Sequence, residues 1–134
     1  MERHVDLLGI LSSLWGALAV LVGVSMLLLS AGALVELVEP AGQAVEFAAG
    51  LTAGIFALIG TFALLWGGAH VWAALLLRRR RPFGRVVMLG LAVVNLLVLP
   101  FGTALGIYAM WVLLTDAGRR LFEPLMPVST PAPR

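Results

Sequence analysis

The chain has 134 residues, of which 61% are hydrophobic and only 12% charged, and its formal net charge is +2. Soluble domains contain about 25% charged residues, so this composition argues against a soluble globular protein. The chain has no cysteine, which excludes disulfides, a thiol nucleophile and a cysteine-ligated metal.

Three long runs, residues 7–35, 47–77 and 86–115, contain no charged residue. Each run has about 30 residues, and about 20 apolar residues are enough for a helix to cross the bilayer core. The first run is about twice as long as the apolar region of a signal peptide, so we interpret it as a retained helix. The sequence therefore predicts an all-α membrane protein, with one membrane domain over residues 1–122.

The first two runs predict two transmembrane helices, over about residues 7–35 and 47–77. Small residues follow one another at spacings of three and four in the first helix, and Gly16 is the candidate for helix packing there. Gly50 and Gly54 form a GxxxG pattern near the start of the second helix. Small residues allow helix backbones to approach closely in lipid, so we expect these glycines to lie at helix contacts.

The loop after the second helix is strongly basic, and its arginines are Arg78, Arg79, Arg80, Arg81 and Arg85. Basic loops stay on the cytoplasmic side of the membrane, so this loop is expected to face inward. The preceding loop, residues 36–46, has three acids and no base, and it is expected to face outward. The arginines are predicted to set the topology and to bind anionic lipid headgroups, at about 1 kcal/mol each. The run is too short and too isolated to predict nucleic-acid binding.

The third run contains Pro100, Gly102 and Thr103, which favour a turn followed by a new helix. We therefore predict two short helices, residues 83–99 and 103–120, paired as a hairpin that turns over residues 100–103. Gly102 and Gly106 form a second GxxxG pattern that would help this hairpin to close. The alternative is three transmembrane helices, the third kinked at Pro100. Whether the turn reaches the outer surface or is re-entrant is left open.

The hairpin prediction gives four transmembrane helices, with the N-terminus and the C-terminus both in the cytoplasm. It also keeps Arg119 and Arg120 on the inner side, in agreement with the positive-inside rule. The last segment, residues 123–134, contains four prolines and is predicted to be a flexible cytoplasmic tail. Abundant alanine, glycine, leucine and valine without lysine suggest a bacterial source, so the expected location is the bacterial inner membrane.

Few polar side chains lie within the apolar runs. The missing acid in the first run excludes a small multidrug exporter of similar size, because those proteins use a glutamate in the first helix. His70 lies about 10 Å below the inner end of the second helix. It is either a structural hydrogen-bonding group or, together with His4, a candidate haem or quinone site. Asn95 is expected to form a hydrogen bond across helices.

The C-terminal half resembles a family of small bacterial inner-membrane proteins. The resemblance rests on RRRRPFGR at residues 78–85, on NLL at 95–97, on PFGTALGIY at 100–108 and on WVLL at 111–114. Members of this family also have a histidine just before the first helix. The resemblance implies a compact helical membrane protein with an arginine-rich cytoplasmic loop, and it implies no activity.

No catalytic constellation is present in the sequence, so neither an enzyme nor a resident cofactor is expected. The leading hypothesis is an accessory or structural subunit that packs against other membrane proteins or against itself. The first alternative is an oligomeric transporter or channel for a small neutral or lipid-like solute. Its polar path would have to use Asn95, Thr52, Thr61, Ser25 and His70. The second alternative is a haem- or quinone-binding protein that uses His70.

Overall fold

The computed structural model describes residues 2–35, 42–98 and 100–122, and these residues form helices and turns without a strand. The helices are α1 (Glu2–Val35), α2 (Gln43–Arg78), α3 (Pro82–Asn95), α4 (Phe101–Leu114) and α5 (Asp116–Arg120). The all-α prediction is therefore confirmed. Most of the acidic loop, residues 36–41, and the predicted tail, residues 123–134, lie outside the described residues.

Helices α1 and α2 pack against each other as a long antiparallel pair. Their backbones touch: a Cβ atom added at Gly16 would lie 2.7 Å from the Gly67 carbonyl oxygen, and one added at Gly60 would lie 2.9 Å from that of Gly23. Near the C-terminal end of α1, Ser30 Oγ donates a hydrogen bond of 2.8 Å to the carbonyl oxygen of Ala53 on α2. No larger side chain fits at these crossing points.

The contact is built from small residues repeated every seven positions, which we call the small-residue seam. Its members are Gly9, Gly16, Gly23 and Ser30 on α1, facing Ala74, Gly67, Gly60 and Ala53 on α2. A seven-residue period is typical of helices that stay in contact over several turns, and small residues bring their axes close together. The repeat thus explains how two helices of 34 and 36 residues remain paired over so great a length.

Two residues after the end of α2, Arg80 adopts a left-handed backbone conformation with a φ angle of 52°. The Arg81 amide donates to the Leu76 carbonyl at 3.1 Å, and the Arg80 amide donates to the Leu77 carbonyl at 2.9 Å. This pair of bonds is the Schellman motif, in which glycine is the usual left-handed residue. Pro82 then starts α3, since its fixed φ angle suits the first turn of a helix.

The third charge-free run forms two helices, α3 and α4, and residues 96–98 and 100 between them lie in a turn. The prediction that the turn covers residues 100–103 is wrong, because Gly102 and Thr103 lie inside α4. Each helix has 14 residues, shorter than the 17 or so predicted from sequence. The α3–α4 hairpin closes tightly, because a Cβ atom at Gly106 would lie 2.6 Å from the Ala92 carbonyl oxygen.

Helix α4 ends at Leu114, and the chain does not continue as one helix to residue 120 as predicted. Thr115 has an extended backbone, and its hydroxyl donates to the Trp111 carbonyl at 2.5 Å. The short helix α5 then folds back, with Gly118 against the backbone of Val112.

The buried core lies at one end of the molecule, where α1 to α4 all meet. Its buried hydrophobic members are Val5, Leu8, Ala73, Leu77, Met88, Ala92, Ala109, Val112, Leu113 and Phe122. The described arginines lie at this same end, which we call the basic end: they are Arg3 near the start of α1, those between Arg78 and Arg85, and those in α5. The opposite half of the α1–α2 pair contributes little to this core.

Two of the described helices, α1 and α2, are long and apolar enough to cross a membrane. Only 11% of the residues in the most apolar window of each helix are buried. A core helix of a soluble protein would be mostly buried, so these helices differ from that class. Large apolar side chains such as Leu28, Leu58 and Phe62 are instead 66–74% exposed.

Candidate functional site

The two polar side chains expected at depth, His70 and Asn95, meet between α2 and α3. Asn95 Nδ2 lies 2.9 Å from His70 Nε2, and His70 Nδ1 lies 3.0 Å from the Trp66 carbonyl oxygen. His70 is 0% exposed and Asn95 is 1% exposed. Since a carbonyl oxygen only accepts, Nδ1 must carry the proton, and Nε2 then accepts from the Asn95 amide.

The surroundings of this pair fix the imidazole ring. The Trp66 ring lies one helical turn away on α2, with its centroid 4.9 Å from that of His70. On the other side, a Cβ atom added at Gly16 of α1 would lie 3.0 Å from His70 Cβ. Asn95 is the last residue of α3, and its carbonyl accepts the Val98 amide at 2.9 Å. The His70–Asn95 pair therefore joins the C-terminal end of α3, just before the turn, to α2.

The geometry favours the structural interpretation of His70 over ligation. Both ring nitrogens already take part in hydrogen bonds, so a haem iron or a quinone would have to displace Trp66 or Asn95. One atom of the pair, Asn95 Oδ1, is buried without a hydrogen-bond partner in the described chain.

The structure does not bring His4 to His70. His4 Nδ1 lies 3.2 Å from the Tyr108 hydroxyl, and its ring makes an edge contact with Trp111 at 5.6 Å between centroids. These three side chains connect the start of α1 to α4 near the basic end. Within residues 2–35, 42–98 and 100–122, no three His, Cys, Asp or Glu side chains are grouped so that they could hold a metal ion.

The other polar residues proposed for a solute path do not join the His70–Asn95 pair. Thr52 and Thr61 are exposed on α2, and Ser25 is exposed on α1. The Ser25 hydroxyl donates to the Leu21 carbonyl of its own helix at 2.9 Å. The described residues thus show no continuous polar path between the helices of one chain.

The five arginines of the basic loop have different surroundings. Arg80 Nη2 lies 3.6 Å from Asp6 Oδ1, and Arg85 Nε donates to the Leu113 carbonyl at 3.1 Å, near the end of α4. Arg78, Arg79 and Arg81 are exposed. Arg80 and Arg85 therefore contact other helices of the chain, and headgroup binding by the other three stays a prediction.

The predicted glycine pairs also differ in their surroundings. Gly102 and Gly106 both lie at the α3–α4 contact, and a Cβ atom at Gly102 would lie 2.6 Å from Val98 Cβ. In contrast, nothing in the described chain lies within 4 Å of a Cβ atom at Gly50 or Gly54. This GxxxG pair faces away from the other described helices, and no contact among the described residues uses it.

An apolar groove of about 460 Å³ lies between α1 and α4. Its lining residues are Leu11, Leu14, Trp15, Leu18, Phe101, Ala104, Leu105 and Tyr108. Sequence reasoning did not find it, because the groove depends on how α4 lies against α1. Trp15 Nε1 has no hydrogen-bond partner within the described chain, but it is buried and not presented to the groove surface.

The chain matches no family model, and no curated protein or solved structure shows significant similarity to it. The resemblance to small bacterial inner-membrane proteins therefore remains an expectation. The described residues form a helical scaffold with an extensive exposed apolar surface. Inside it lies the buried hydrogen-bonded pair of His70 and Asn95, which we call the polar clamp.

Proposed function

We propose that this chain is a small integral membrane protein that acts as a structural or accessory subunit and packs against a second copy of itself or other membrane proteins. The observation that carries the proposal is the exposed apolar surface of α1 and α2, from which charged residues are absent over about 30 residues each. In water such a surface would be a severe aggregation hazard, and in lipid it is the ordinary outer face of a helix.

The orientation follows from the arginines. With the basic end in the cytoplasm, the N-terminus, the α2–α3 turn and the end of α4 all lie on the inner side, as the positive-inside rule requires. The bacterial inner membrane is the location that this orientation and the composition favour. Exposed arginines at this end would meet the anionic headgroups of the inner leaflet.

The packing role is supported by the contrast between the glycines. All five glycines of α1 and α2 that lie at a contact are used in the small-residue seam, whereas Gly50 and Gly54, like Gly32 and Gly68, meet nothing within 4 Å in the described chain. Exposed glycines in lipid offer a flat surface on which another helix can pack closely. Both ring nitrogens of His70 are already hydrogen-bonded within the chain, which favours a packing role over ligand chemistry.

The test is self-association of the purified protein in lipid nanodiscs and by cross-linking in native membranes. We expect oligomers or a heteromeric complex, and we expect Gly54→Leu to weaken the association at least about tenfold because the larger side chain separates the helices. Gly90→Leu is the matched control, since Gly90 also has nothing within 4 Å but lies on α3. Recovery of a monomer alone, from gently solubilised membranes as well as nanodiscs, would overturn the proposal.

A further inference from the structure

The two helical hairpins of this protein differ greatly in length. Helix α1 has 34 residues and extends about 51 Å, whereas α3 and α4 have 14 residues each and extend about 21 Å. A bilayer is about 40–45 Å thick including its headgroups, so half of it measures about 20–22 Å. The α3–α4 hairpin therefore has the length of one leaflet, counted from the basic end.

The contacts of the α3–α4 turn agree with this depth. Phe101, just after the turn, lines the groove together with Leu14 and Leu18, which lie near the middle of α1. Beyond that level, among the described residues, α1 and α2 pack only against each other, and Leu21 and Leu58 are 63% and 74% exposed. The described part of the molecule is four helices wide in its basic half and two helices wide in its other half.

The tip of the short hairpin is suited to hydrocarbon. Its outward side chains are apolar, with Leu97 81% and Phe101 72% exposed, so the tip would be poorly placed among headgroups. Part of its backbone has hydrogen-bond partners within the chain: Thr103 Oγ1 donates to the Leu96 carbonyl at 3.0 Å, and the Thr103 amide donates to the Val98 carbonyl at 3.0 Å. Irregular backbone is tolerated at membrane depth only where its polar groups find such partners.

We propose that the α3–α4 hairpin is re-entrant, ending near the bilayer midplane, and that the protein is a wedge whose broad half occupies the cytoplasmic leaflet. The inference rests on the membrane location proposed above. Two extra helices, each about 10 Å across, expand one leaflet only. Such a shape fits best into a membrane that is curved with its cytoplasmic leaflet on the convex side, so the partner is a curved lipid surface.

Depth is measured with single-cysteine variants, which need no background substitutions because the chain has no cysteine. A fluorophore is attached to Leu97→Cys or to Leu58→Cys, each in nanodiscs that hold one protein molecule. Quencher lipids carry the quenching group at the headgroup or at the end of the acyl chain. We expect the Leu97 label to be quenched most strongly at the acyl-chain end.

The two labelled variants distinguish a failure of the re-entrant hairpin from a failure of the proposed membrane location. Stronger quenching of the Leu97 label by the headgroup lipid, with Leu58 still quenched by lipid, would show a full crossing and overturn the re-entrant hairpin alone. A Leu58 label that no lipid quenches would overturn the membrane location itself. Neither result depends on self-association, since each nanodisc holds a single chain.

Curvature preference is measured by orientation in uncharged vesicles formed by detergent removal. Ala117→Cys in α5 reports the basic end and Gln43→Cys at the start of α2 reports the opposite end, each by reaction with an impermeant maleimide. We expect the ratio of outward to inward basic ends to be roughly threefold higher in vesicles of about 30 nm than in those of about 400 nm. The Gln43 signal should change in the opposite direction. Equal ratios at both sizes would overturn the curvature preference.

Discussion

His70 and Asn95 join α2 to α3 through a buried hydrogen bond of 2.9 Å. The sequence predicted that Asn95 would form a hydrogen bond across helices, and it offered a structural hydrogen-bonding role as one of two interpretations of His70. It could not predict that the two residues bond to each other. The partner of a side chain at depth depends on how its helix is rotated about its axis, and charge-free runs carry little information about that rotation.

Replacing Asn95 with leucine is expected to destabilise the protein by about 1–3 kcal/mol, because His70 Nε2 would be left buried without a donor. Unfolding by SDS in mixed micelles, followed by tryptophan fluorescence, measures the free-energy change. Thr61→Leu is the control, since Thr61 is exposed on α2 and lies outside the pair.

A double-mutant cycle with His70→Phe gives the energy of the bond itself. Hydrogen bonds between transmembrane helices average about 0.6 kcal/mol and reach about 1.7 kcal/mol, so a coupling energy in that range is expected. A coupling energy of zero, with Asn95→Leu no more destabilising than Thr61→Leu, would contradict the clamp.

The arginine loop is a second case in which the sequence did not reveal what individual residues do. From the sequence, the five arginines form one group with one role, because only charge and position are visible. In the structure, Arg80 occupies the left-handed position of the Schellman motif, and Arg85 reaches a carbonyl of α4. These roles arise from backbone geometry and from the way α4 returns along α3, neither of which the charge pattern records.

At the scale of elements, the small-residue seam determines how α1 and α2 pack. The seven-residue repeat is present in the sequence, but a search at spacings of three and four finds Gly16 and misses the regular series to which it belongs. Counting from Gly9 in steps of seven, and doing the same from Ala53, would have given both halves of the seam. The open GxxxG pair on α2 shows, conversely, that a short motif alone does not identify the contact.

Two neighbouring glycines test the seam. A Cβ atom at Gly67 would lie 2.5 Å from the Gly16 carbonyl oxygen, whereas one at Gly68 would meet nothing within 4 Å in the described chain. Gly67→Ala is therefore expected to destabilise the protein by about 1–3 kcal/mol through overpacking. Gly68→Ala should be neutral or stabilise by up to about 1 kcal/mol, because alanine favours helix. Equal effects in SDS unfolding would contradict the pairing of α1 with α2.

In the α3–α4 hairpin, the turn-forming residues of the sequence predicted that the helix breaks, but they did not predict where each helix ends. Pro100, Gly102 and Thr103 correctly predicted a break in the third charge-free run. The turn was placed too late, at residues 100–103, because the apolar residues after Asn95 were assigned to the first helix, whereas α4 already begins at Phe101. In the structure residues 96–98 and 100 lie in the turn, and Thr115 ends α4 before the final arginines.

At the scale of the whole molecule, the membrane location and orientation that we propose rest on the charge-free surface and on the position of the arginines. The sequence was sufficient for the helical class and for the two long apolar helices, because length and composition decide both. The sequence could not predict that the described part of the molecule has four helices in one half and two in the other. This difference follows from the lengths of α3 and α4 and from their contacts with α1 and α2, which only the folded chain shows.

The most direct test of the account is the topology of the chain in intact bacterial cells. Single cysteines at Gln43, at the start of α2, and at Ala117, in α5, are treated with an impermeant maleimide before and after permeabilisation of the inner membrane. The account predicts that Gln43→Cys reacts in intact cells and that Ala117→Cys reacts only after permeabilisation. Reaction of Ala117→Cys in intact cells, or recovery of the chain in buffer without detergent, would contradict it.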